Sequence, residues 1–196
     1  YALPDAEYAD KVVIITDDLV DYPNTPNSIS EHKVDFVVEV ESVGDSSKIA
    51  SGAIRDTKNP RDILLAQQAA KVIINSGYFK DGFSIQTGSG GASLAAVKFI
   101  RESMIEKGIK ANYALGGITA HMVKMHEEGL IKRLIDVQSF DKVAAESVKN
   151  NEFHKEVSAS EYAAADEQGS ATHYLDIVIL SALEVDVDFN VNVLVG

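Results

Sequence analysis

The stretch FSIQTGSGGASLAAVKFI, residues Phe83–Ile100, decides the fold of this chain. It opens with a short apolar segment, passes through glycine and serine without a charge in the turn, and continues as a helix. A strand that enters a helix through such a turn leaves backbone N–H groups free at the start of the helix. Three outcomes are open at this point: the turn binds a phosphate, binds a carbonyl that becomes an oxyanion, or binds nothing.

The rest of the chain repeats this alternation of strand and helix. Helices are predicted from Pro60, with Asn59 as the cap, to Gly77, over Ala92–Lys107 and Thr119–Glu128, from Asp141 to Asn150, and from Ser158 or Ser160 through Ala165. Strands are predicted over Lys11–Thr16, Val34–Val40, Phe83–Thr87, Ala111–Gly116, Leu134–Ser139 and Asp176–Ala182, with a hairpin around Asp188–Asn190. The first and last of these six strands have the apolar content of buried strands. The order predicts an α/β fold with a doubly wound, mostly parallel sheet.

Composition limits the classes of function. A chain of 196 residues is long enough for one large domain with a real core. Its net charge of −12 argues against a surface for nucleic acid or anionic membrane, so an anionic substrate must meet backbone amides or single basic side chains. The absence of cysteine excludes disulfides, thiolate zinc sites and cysteine nucleophiles, and it fits a reducing cytoplasm. Nothing in the sequence requires a metal.

The glycine-rich turn matches no standard nucleotide motif. A Walker loop needs a lysine, and the next one is Lys98, inside the helix. The GxGxxG pattern fails because its sixth position is Ser93. From this segment alone, a tight turn that needs positive φ is slightly favoured over a ligand site, and a dinucleotide site is the least supported.

A second glycine-rich segment follows the next strand. ALGGIT, residues Ala114–Thr119, leaves a strand with Gly116 and Gly117 and enters a helix at a capping Thr119. Two such exits on successive strands would lie side by side in a doubly wound sheet. A binding site at this edge is therefore better supported than either turn alone suggests.

Histidines give weak signals. His121 and His126 are five residues apart on one helix, which misses the spacing of a metal pair, and the others lie in polar surroundings at positions 32, 154 and 173. None has an evident acid partner in the order of a Ser–His–Asp triad. A solvated or capping role is expected for all five.

Three charged side chains near predicted element ends are further candidates. Glu184 follows a predicted buried strand, where it is either a functional group or an edge charge. Arg55 and Arg61 can hold a polycarboxylate, or they can pair with the neighbouring Asp56 and Asp62 at a helix start.

Longer blocks of sequence carry a resemblance. The blocks YPNTPNSIS, KVDFVVEVESVGD, GAIRDTKNPRD, NSGYFKDGFSIQTGSGGASLA, LGGITAHMV, EEGLIKRLIDVQSFD and SALEVDVDFNVNV occur in this order from about Lys11 to Gly196. Together they resemble the alpha subunit of bacterial citrate lyase. The resemblance implies that residues 1–196 are a single CoA-transferase-like domain, an internal to C-terminal portion of a longer two-domain subunit.

The resemblance also implies an activity. The subunit exchanges acetate for citrate on an acyl carrier, or on CoA, to give citryl-carrier and acetate. The carrier bears a dephospho-CoA-derived prosthetic group, which is a substrate and is not bound covalently to this subunit. The implied partners are the beta (lyase) and gamma (acyl carrier) subunits in a cytoplasmic complex, with the alpha subunit a homo-oligomer.

Site residues follow from the same resemblance. Backbone amides near Gly88, Gly90 and Gly91 would face the thioester carbonyl and its oxyanion, where such donors matter most. The implied thioester-binding residues are Gln86, Thr87, Ser89 and Ser93. Gly116, Gly117, Thr119 and Arg55 are the expected substrate-binding residues, and Glu184 is a candidate for a supporting catalytic role.

One departure from the wider superfamily bears on mechanism. Many relatives carry a nucleophilic glutamate on the strand after the glycine-rich loop, but no acid occurs between Ala111 and Ala120. A covalent carboxylate intermediate needs a carboxylate, so citrate is expected to attack the acetyl thioester directly.

Two other functions stay open. The domain could be a non-catalytic piece that only docks the other subunits. A sugar-phosphate isomerase of the same fold would need an acid and a lysine around a phosphate loop, and neither Lys71 nor Lys80 is obviously placed for it.

Overall fold

The computed structural model describes residues 1–45, 57–164 and 169–194. The helices are α1 (Ala2–Tyr8), α2 (Pro60–Asn75), α3 (Gly91–Lys107), α4 (Ala120–Glu127), α5 (Lys142–Asn150) and α6 (Ala159–Ala163). The strands are β1 (Val13–Thr16), β2 (Phe36–Glu39), β3 (Ser84–Thr87), β4 (Tyr113–Ile118), β5 (Leu134–Ser139), β6 (His154–Glu156), β7 (Ile177–Ile179), β8 (Glu184–Val185) and β9 (Val191–Asn192). Short 3₁₀ helices cover Glu31–Lys33 and Ala171–Tyr174. Among the described residues, no helix is long and apolar enough to cross a membrane.

Local capping chemistry sets the helix boundaries. The side chain of Asn59 accepts a hydrogen bond from the Arg61 amide, which starts α2 with Pro60 in its first turn. Asp141 caps α5 through the Ala144 amide. At the other end of a helix, Gly108 ends α3 with the left-handed φ of +65° that glycine adopts without strain. The predicted helices at these positions are confirmed.

Five strands form the central sheet in the order β6-β5-β4-β3-β7, and every pairing is parallel. The chain runs outward from β3 to β6 and then returns to the other side of β3 as β7. Because parallel crossovers are right-handed, α3, α4 and α5 lie on one face and the return through α6 lies on the other. The prediction of a doubly wound parallel sheet is confirmed.

The core lies between this sheet and its helices. Apolar side chains of β3, β4 and β5 pack against the inner faces of α3 and α4, with α2 beside α3. The largest fully buried members include Phe83, Ile85, Ile100, Met104, Ile118, Met122 and Leu134.

Two strand predictions need correction. The segment Lys11–Thr16 is not buried within the described residues: it forms the strand β1, where Val13 and Ile15 are 51% and 60% exposed, and it pairs only with β2. The predicted buried strand at Asp176–Ala182 is the edge strand β7, which buries Ile177 and Ile179 while Val178 faces outward. Burial depends on a covering layer, and these apolar runs do not reveal whether one is present.

Two elements escaped prediction. The strand β6 has only three residues, His154–Glu156, two of them charged, and it forms by pairing beside β5. The helix α1 at Ala2–Tyr8 has no side-chain cap. Neither has the apolar period that sequence reasoning relies on.

Candidate functional site

The glycine-rich turn lies at the point where the sheet changes direction. β3 lies between β4 and β7. The chain continues from β3 to β4 on one side, whereas β7 on the other side is reached only after β6, so the strand order reverses at the turn after β3. The Gly88 amide donates to the carbonyl of Ile179 at 2.8 Å. A Cβ atom on Gly90 would lie 3.5 Å from Ser181 Oγ, which places the end of β7 beside the turn. Open α/β sheets bind their ligands in the crevice at such a switch point.

The helix α3 begins at this turn with unused donors. Gly90 is the residue before its first turn, and no side chain caps it. Within the described part of the chain, the amides of Gly90 and Gly91 donate to no group. A helix of 17 residues with an uncapped N-terminus presents partial positive charge and free N–H groups to a ligand.

Gly88 requires a correction. The prediction gave its amide to the thioester oxyanion, but this amide already completes the pairing between β3 and β7. Its place in the turn is therefore structural, and the donors that remain are those of Gly90, Gly91 and the next residues of α3.

Neither backbone strain nor crowding explains the glycines of this turn. The expectation of positive φ is wrong here, because Gly90 has φ −69° and Gly88 is not among the glycines with positive φ. Added Cβ atoms on Gly88 and Gly90 would make only ordinary contacts at 3.4 Å or more. Glycine suits the N-cap position that Gly90 occupies, and it also allows a ligand to approach the backbone closely.

Two buried hydroxyl groups at the same edge of the sheet lack partners. Thr87 ends β3 and is 3% exposed, while Thr119 follows β4 and is 1% exposed. The Oγ1 atom of each has no hydrogen-bond partner in the described parts of the chain. A buried polar group left unpaired costs about 1–3 kcal/mol, so these two at neighbouring strand ends are candidates for contact with a ligand.

Thr119 occupies the cap position of α4 without acting as a cap. The first amide of that helix, Ala120 N, donates instead to Asp141 Oδ2 at 2.7 Å. Asp141 also accepts from the Ala144 amide at 2.9 Å, so one carboxylate holds the starts of α4 and α5 together. Because Thr119 makes no side-chain capping bond, its hydroxyl is available for another contact.

Gly116 and Gly117 both lie inside β4; Gly116 was predicted as the end of this strand, and the predicted position of Gly117 in the turn after it is corrected. The pairing of β4 with β5 shifts by one residue between them, which marks a β-bulge. Gly116 has φ +100° and lies under the side chain of Gln86. A Cβ atom on Gly117 would lie 1.8 Å from the ring of Phe140. Packing explains both glycines, and their role in substrate binding stays a prediction.

Gln86 has a partner that the sequence did not reveal. Its Nε2 atom donates to the hydroxyl oxygen of Tyr162 at 2.6 Å. Tyr162 lies on the short helix α6, between residues 159 and 163, with no motif around it. The pair fixes Gln86 over Gly116 and beside the glycine-rich turn.

His154 is not solvated, contrary to expectation. It is 2% exposed, and its Nε2 lies 3.2 Å from Asp136 Oδ2 while its Nδ1 lies 2.9 Å from Ser147 Oγ. Ser139 donates to the same oxygen of Asp136. The acid partner lies on the adjacent strand, 18 residues away, so local spacing carried no signal for it. This network joins β5, β6 and α5.

The other predicted residues fall in three places. Ser89 and Ser93 lie in the turn and first helical turn, and Ser93 is 3% exposed. Glu184 is exposed in the hairpin β8–β9, where it accepts from Asn192. Arg55 lies outside the described residues.

A second cleft of about 330 Å³ runs along α2, α3 and α4 and has Lys98, Lys124 and Arg101 on its walls. Arg101 forms a two-point ion pair with Glu128 at 2.6 and 2.7 Å. Hydrogen bonding from this guanidinium lowers the pKa of the Glu128 carboxyl. Leu94 and His121, which also line the cleft, lie in the first turns of α3 and α4, just after β3 and β4.

Comparison with known proteins identifies the family. The family described as citrate lyase, alpha subunit (CitF), matches residues 1–196. The chain belongs to the citrate lyase alpha subunit family.

Citrate lyase alpha chains of Haemophilus influenzae, Klebsiella pneumoniae and Escherichia coli are 59%, 55% and 54% identical to it over 196 residues. The chain spans only 39%, 39% and 38% of the length of these relatives.

A solved structure agrees in fold. It is described as the alpha subunit of citrate lyase from Streptococcus mutans in complex with citrate. It matches all of this chain and 39% of its own, with a TM-score of 0.92 and 56% identity. That relative binds citrate. The portion of the family protein that these residues represent, internal to C-terminal, stays a prediction.

Proposed function

We propose that this chain carries the acyl-transfer site of a citrate lyase complex, where the thioester of an acyl carrier, or of CoA, passes from acetate to citrate. The observation that carries the proposal is the turn Gly88–Gly91: neither strain nor crowding accounts for Gly88 and Gly90, and α3 begins there with amides that donate to no described group. In a family named for citrate lyase, a thioester carbonyl is a fitting ligand for such donors.

The unpaired hydroxyls supply the second half of the site. Thr87 and Thr119 are buried polar groups without partners at the same edge of the sheet. A carboxylate accepts hydrogen bonds from hydroxyls and from helix N-termini, and citrate has three carboxylates. We assign Thr87 to the thioester side and Thr119 to citrate.

The reaction needs no carboxylate from the protein. A citrate carboxylate oxygen attacks the carbonyl carbon of the acetyl thioester, and the resulting oxyanion lies at the Gly90 and Gly91 amides. Collapse expels the carrier thiolate and leaves a mixed citric–acetic anhydride. The thiolate then attacks the citryl carbonyl, and acetate leaves.

The acids of β5 and α5 fit this direct route. Asp136 is held by Ser139 and His154, and Asp141 by the amides of two helices. Both carboxylate oxygens of Asp141 accept hydrogen bonds, whereas Asp136 Oδ1 is buried without a hydrogen-bond partner among the described residues. Glu184 is exposed in its hairpin and remains a candidate for a supporting role.

The partners follow from the same proposal. The acetyl and citryl groups are carried by a gamma subunit whose prosthetic group derives from dephospho-CoA, and a beta subunit cleaves citryl-carrier. We place the complex in the cytoplasm and expect a homo-oligomeric alpha subunit.

The first experiment uses the full-length polypeptide that contains these residues. It is incubated with acetyl-CoA and isotopically labelled citrate, with and without the carrier subunit, and citryl thioester is detected by mass spectrometry. Citryl thioester without any hydroxylamine-sensitive acyl group on the protein supports direct transfer. An acyl-glutamate trapped on the protein contradicts that route. Absence of transfer under both conditions favours the docking function.

A matched pair of glycine variants tests the site. Gly90→Ala keeps the amide but adds a methyl group where the ligand would approach, and it should lower the transfer rate about 100-fold, comparable to the loss of one oxyanion donor, while the free energy of unfolding changes little. Gly108→Ala, at the far end of the same helix with φ +65°, should lower stability and leave the rate unchanged. Equal rates for the two variants would remove the turn from the active site.

A further inference from the structure

Both strands of the sheet β1–β2 expose apolar side chains among the described residues. They pair in parallel with Val13 opposite Phe36 and Thr16 opposite Glu39. Asp35 fixes one end, since it accepts from Lys11 Nζ at 2.7 Å and from the Val12 amide at 2.9 Å. At the other end, the Val40 amide donates to the Thr16 carbonyl. The register of this pair is therefore specific.

The side chains on this pair are those of a buried sheet. Phe36, Val37 and Val38 are 58%, 55% and 44% exposed, and they are consecutive in one strand. Because consecutive strand residues point to opposite faces, both faces of β2 are apolar and exposed in the part of the chain that the structure describes. Parallel sheets with continuous apolar strands occur almost only where both faces are covered.

We infer that β1 and β2 are inner strands of a larger sheet, completed and covered on both faces by the part of the same polypeptide that lies outside residues 1–196. Relatives that match the whole chain at 54–59% identity extend well beyond it, since these residues make up 38–39% of their length. A polypeptide of the relatives' length has the additional chain that this sheet requires.

The geometry favours this occupant over a second copy of the chain. Parallel strands are joined by crossover connections, usually helices that pack on the faces of the sheet. A second copy related by twofold symmetry would bring one surface to one face or one edge, and the opposite face of Phe36–Val38 would stay open. Covering both faces calls for a layer on each side.

The test is hydrogen exchange of the full-length polypeptide in its native state. Backbone amides of residues 36–39 should exchange about as slowly as those of the buried strand 84–87, and more than tenfold slower than amides of the exposed loop 17–28. Exchange at the rate of that loop would overturn the inference. Protection that disappears when the protein is diluted to monomers would also overturn it, in favour of a second copy.

Substitutions give an independent measurement on the same protein. Phe36→Asp and Val37→Asp place a charge on opposite faces, and each should lower the denaturant midpoint clearly. Phe153→Asp is the matched control, since Phe153 is 50% exposed in the loop between α5 and β6. If the two strand variants are as stable as this control, the faces are free in solution and the inference fails. If the variants do not fold, the exchange rates of the unsubstituted protein still decide.

Discussion

Two parallel sheets in this chain differ in what covers them. In the central sheet, Ile85, Leu115 and Leu134 are at most 1% exposed, because helices and loops close over it. In the sheet β1–β2, every residue of β2 is exposed. Both sheets have specific registers and strands rich in apolar residues.

The difference separates pairing from burial. Strand pairing in β1–β2 is fixed by backbone hydrogen bonds and one aspartate, all of them within residues 11–40. Burial needs a second layer, and for the central sheet that layer comes from helices next to the strands in sequence. A short apolar segment therefore specifies a strand on its own, whereas its cover depends on the rest of the polypeptide.

The largest effect is expected where the central sheet holds its outer strand. His154→Ala removes the partner of Asp136 and Ser147 in a site that is 2% exposed, so the free energy of unfolding should fall by about 3 kcal/mol. Chemical denaturation of the full-length protein measures it. His173→Ala, at an exposed histidine, should change stability by about 0.5 kcal/mol or less. Equal effects of the two substitutions would show that the network adds no stability.

A smaller cost is expected at the bulge of β4. Gly117→Ala places a methyl group against the ring of Phe140 and should lower the free energy of unfolding by about 1–3 kcal/mol. Phe140→Ala in the same protein should restore part of that loss, because it removes the ring that the methyl group meets. The double-mutant cycle measures this coupling. Additive losses would mean that the ring is not the obstacle.

A still smaller, pH-dependent effect is expected in β1–β2. The hydrogen bond from Lys11 lowers the pKa of Asp35. A carboxyl with a lowered pKa in the folded state contributes stability above its unfolded pKa of about 3.9, and that contribution disappears as the pH falls through the folded value. Exchange of the Phe36 amide should therefore accelerate at acidic pH once intrinsic rates are corrected.

Asp35→Asn supplies the control for this titration. It keeps the size of the side chain and removes the charge, so the Phe36 amide should already exchange faster at neutral pH and should show less change on acidification. If this variant shows the wild-type pH profile, the charge of Asp35 does not stabilise the pairing of β1 with β2.

The sequence predicted features that depend on residues close together in the chain and missed contacts between residues far apart in it. Asn59, Asp141 and Gly108 make their capping bonds to residues at most four positions away. The starts of α2 and α5 and the end of α3 were therefore predictable from local sequence. The turn after β3 was also found, since a strand, glycines and a helix are contiguous there. The partners of Gln86 and Ser84 lie 76 and 92 residues away, and no local pattern announces them.

Glycine shows the same limit. The sequence treated Gly116–Gly117 and Gly88–Gly91 as equivalent turns, but only the first pair has a packing reason, given by Gln86 and Phe140 from other strands and loops. A glycine packed against a neighbouring ring and a glycine with open space beside it are identical in sequence. The space around the Cβ position distinguishes them.

The smallest expected change in stability is the most informative about the site. Thr119→Val replaces a buried hydroxyl that has no partner with a methyl group of the same shape, so the free energy of unfolding should stay equal or rise by up to about 1 kcal/mol. Most substitutions of buried polar residues lower it.

If the Thr119 hydroxyl binds a citrate carboxylate, the same variant should raise the KM for citrate about tenfold, which corresponds to the loss of one hydrogen bond to a charged group, while Thr119→Ser keeps the wild-type KM. A loss of stability in Thr119→Val would mean that the hydroxyl has a partner in the folded protein. If both the KM and the stability are unchanged, the hydroxyl contributes neither to packing nor to citrate binding. The citrate site would then lie away from the start of α4.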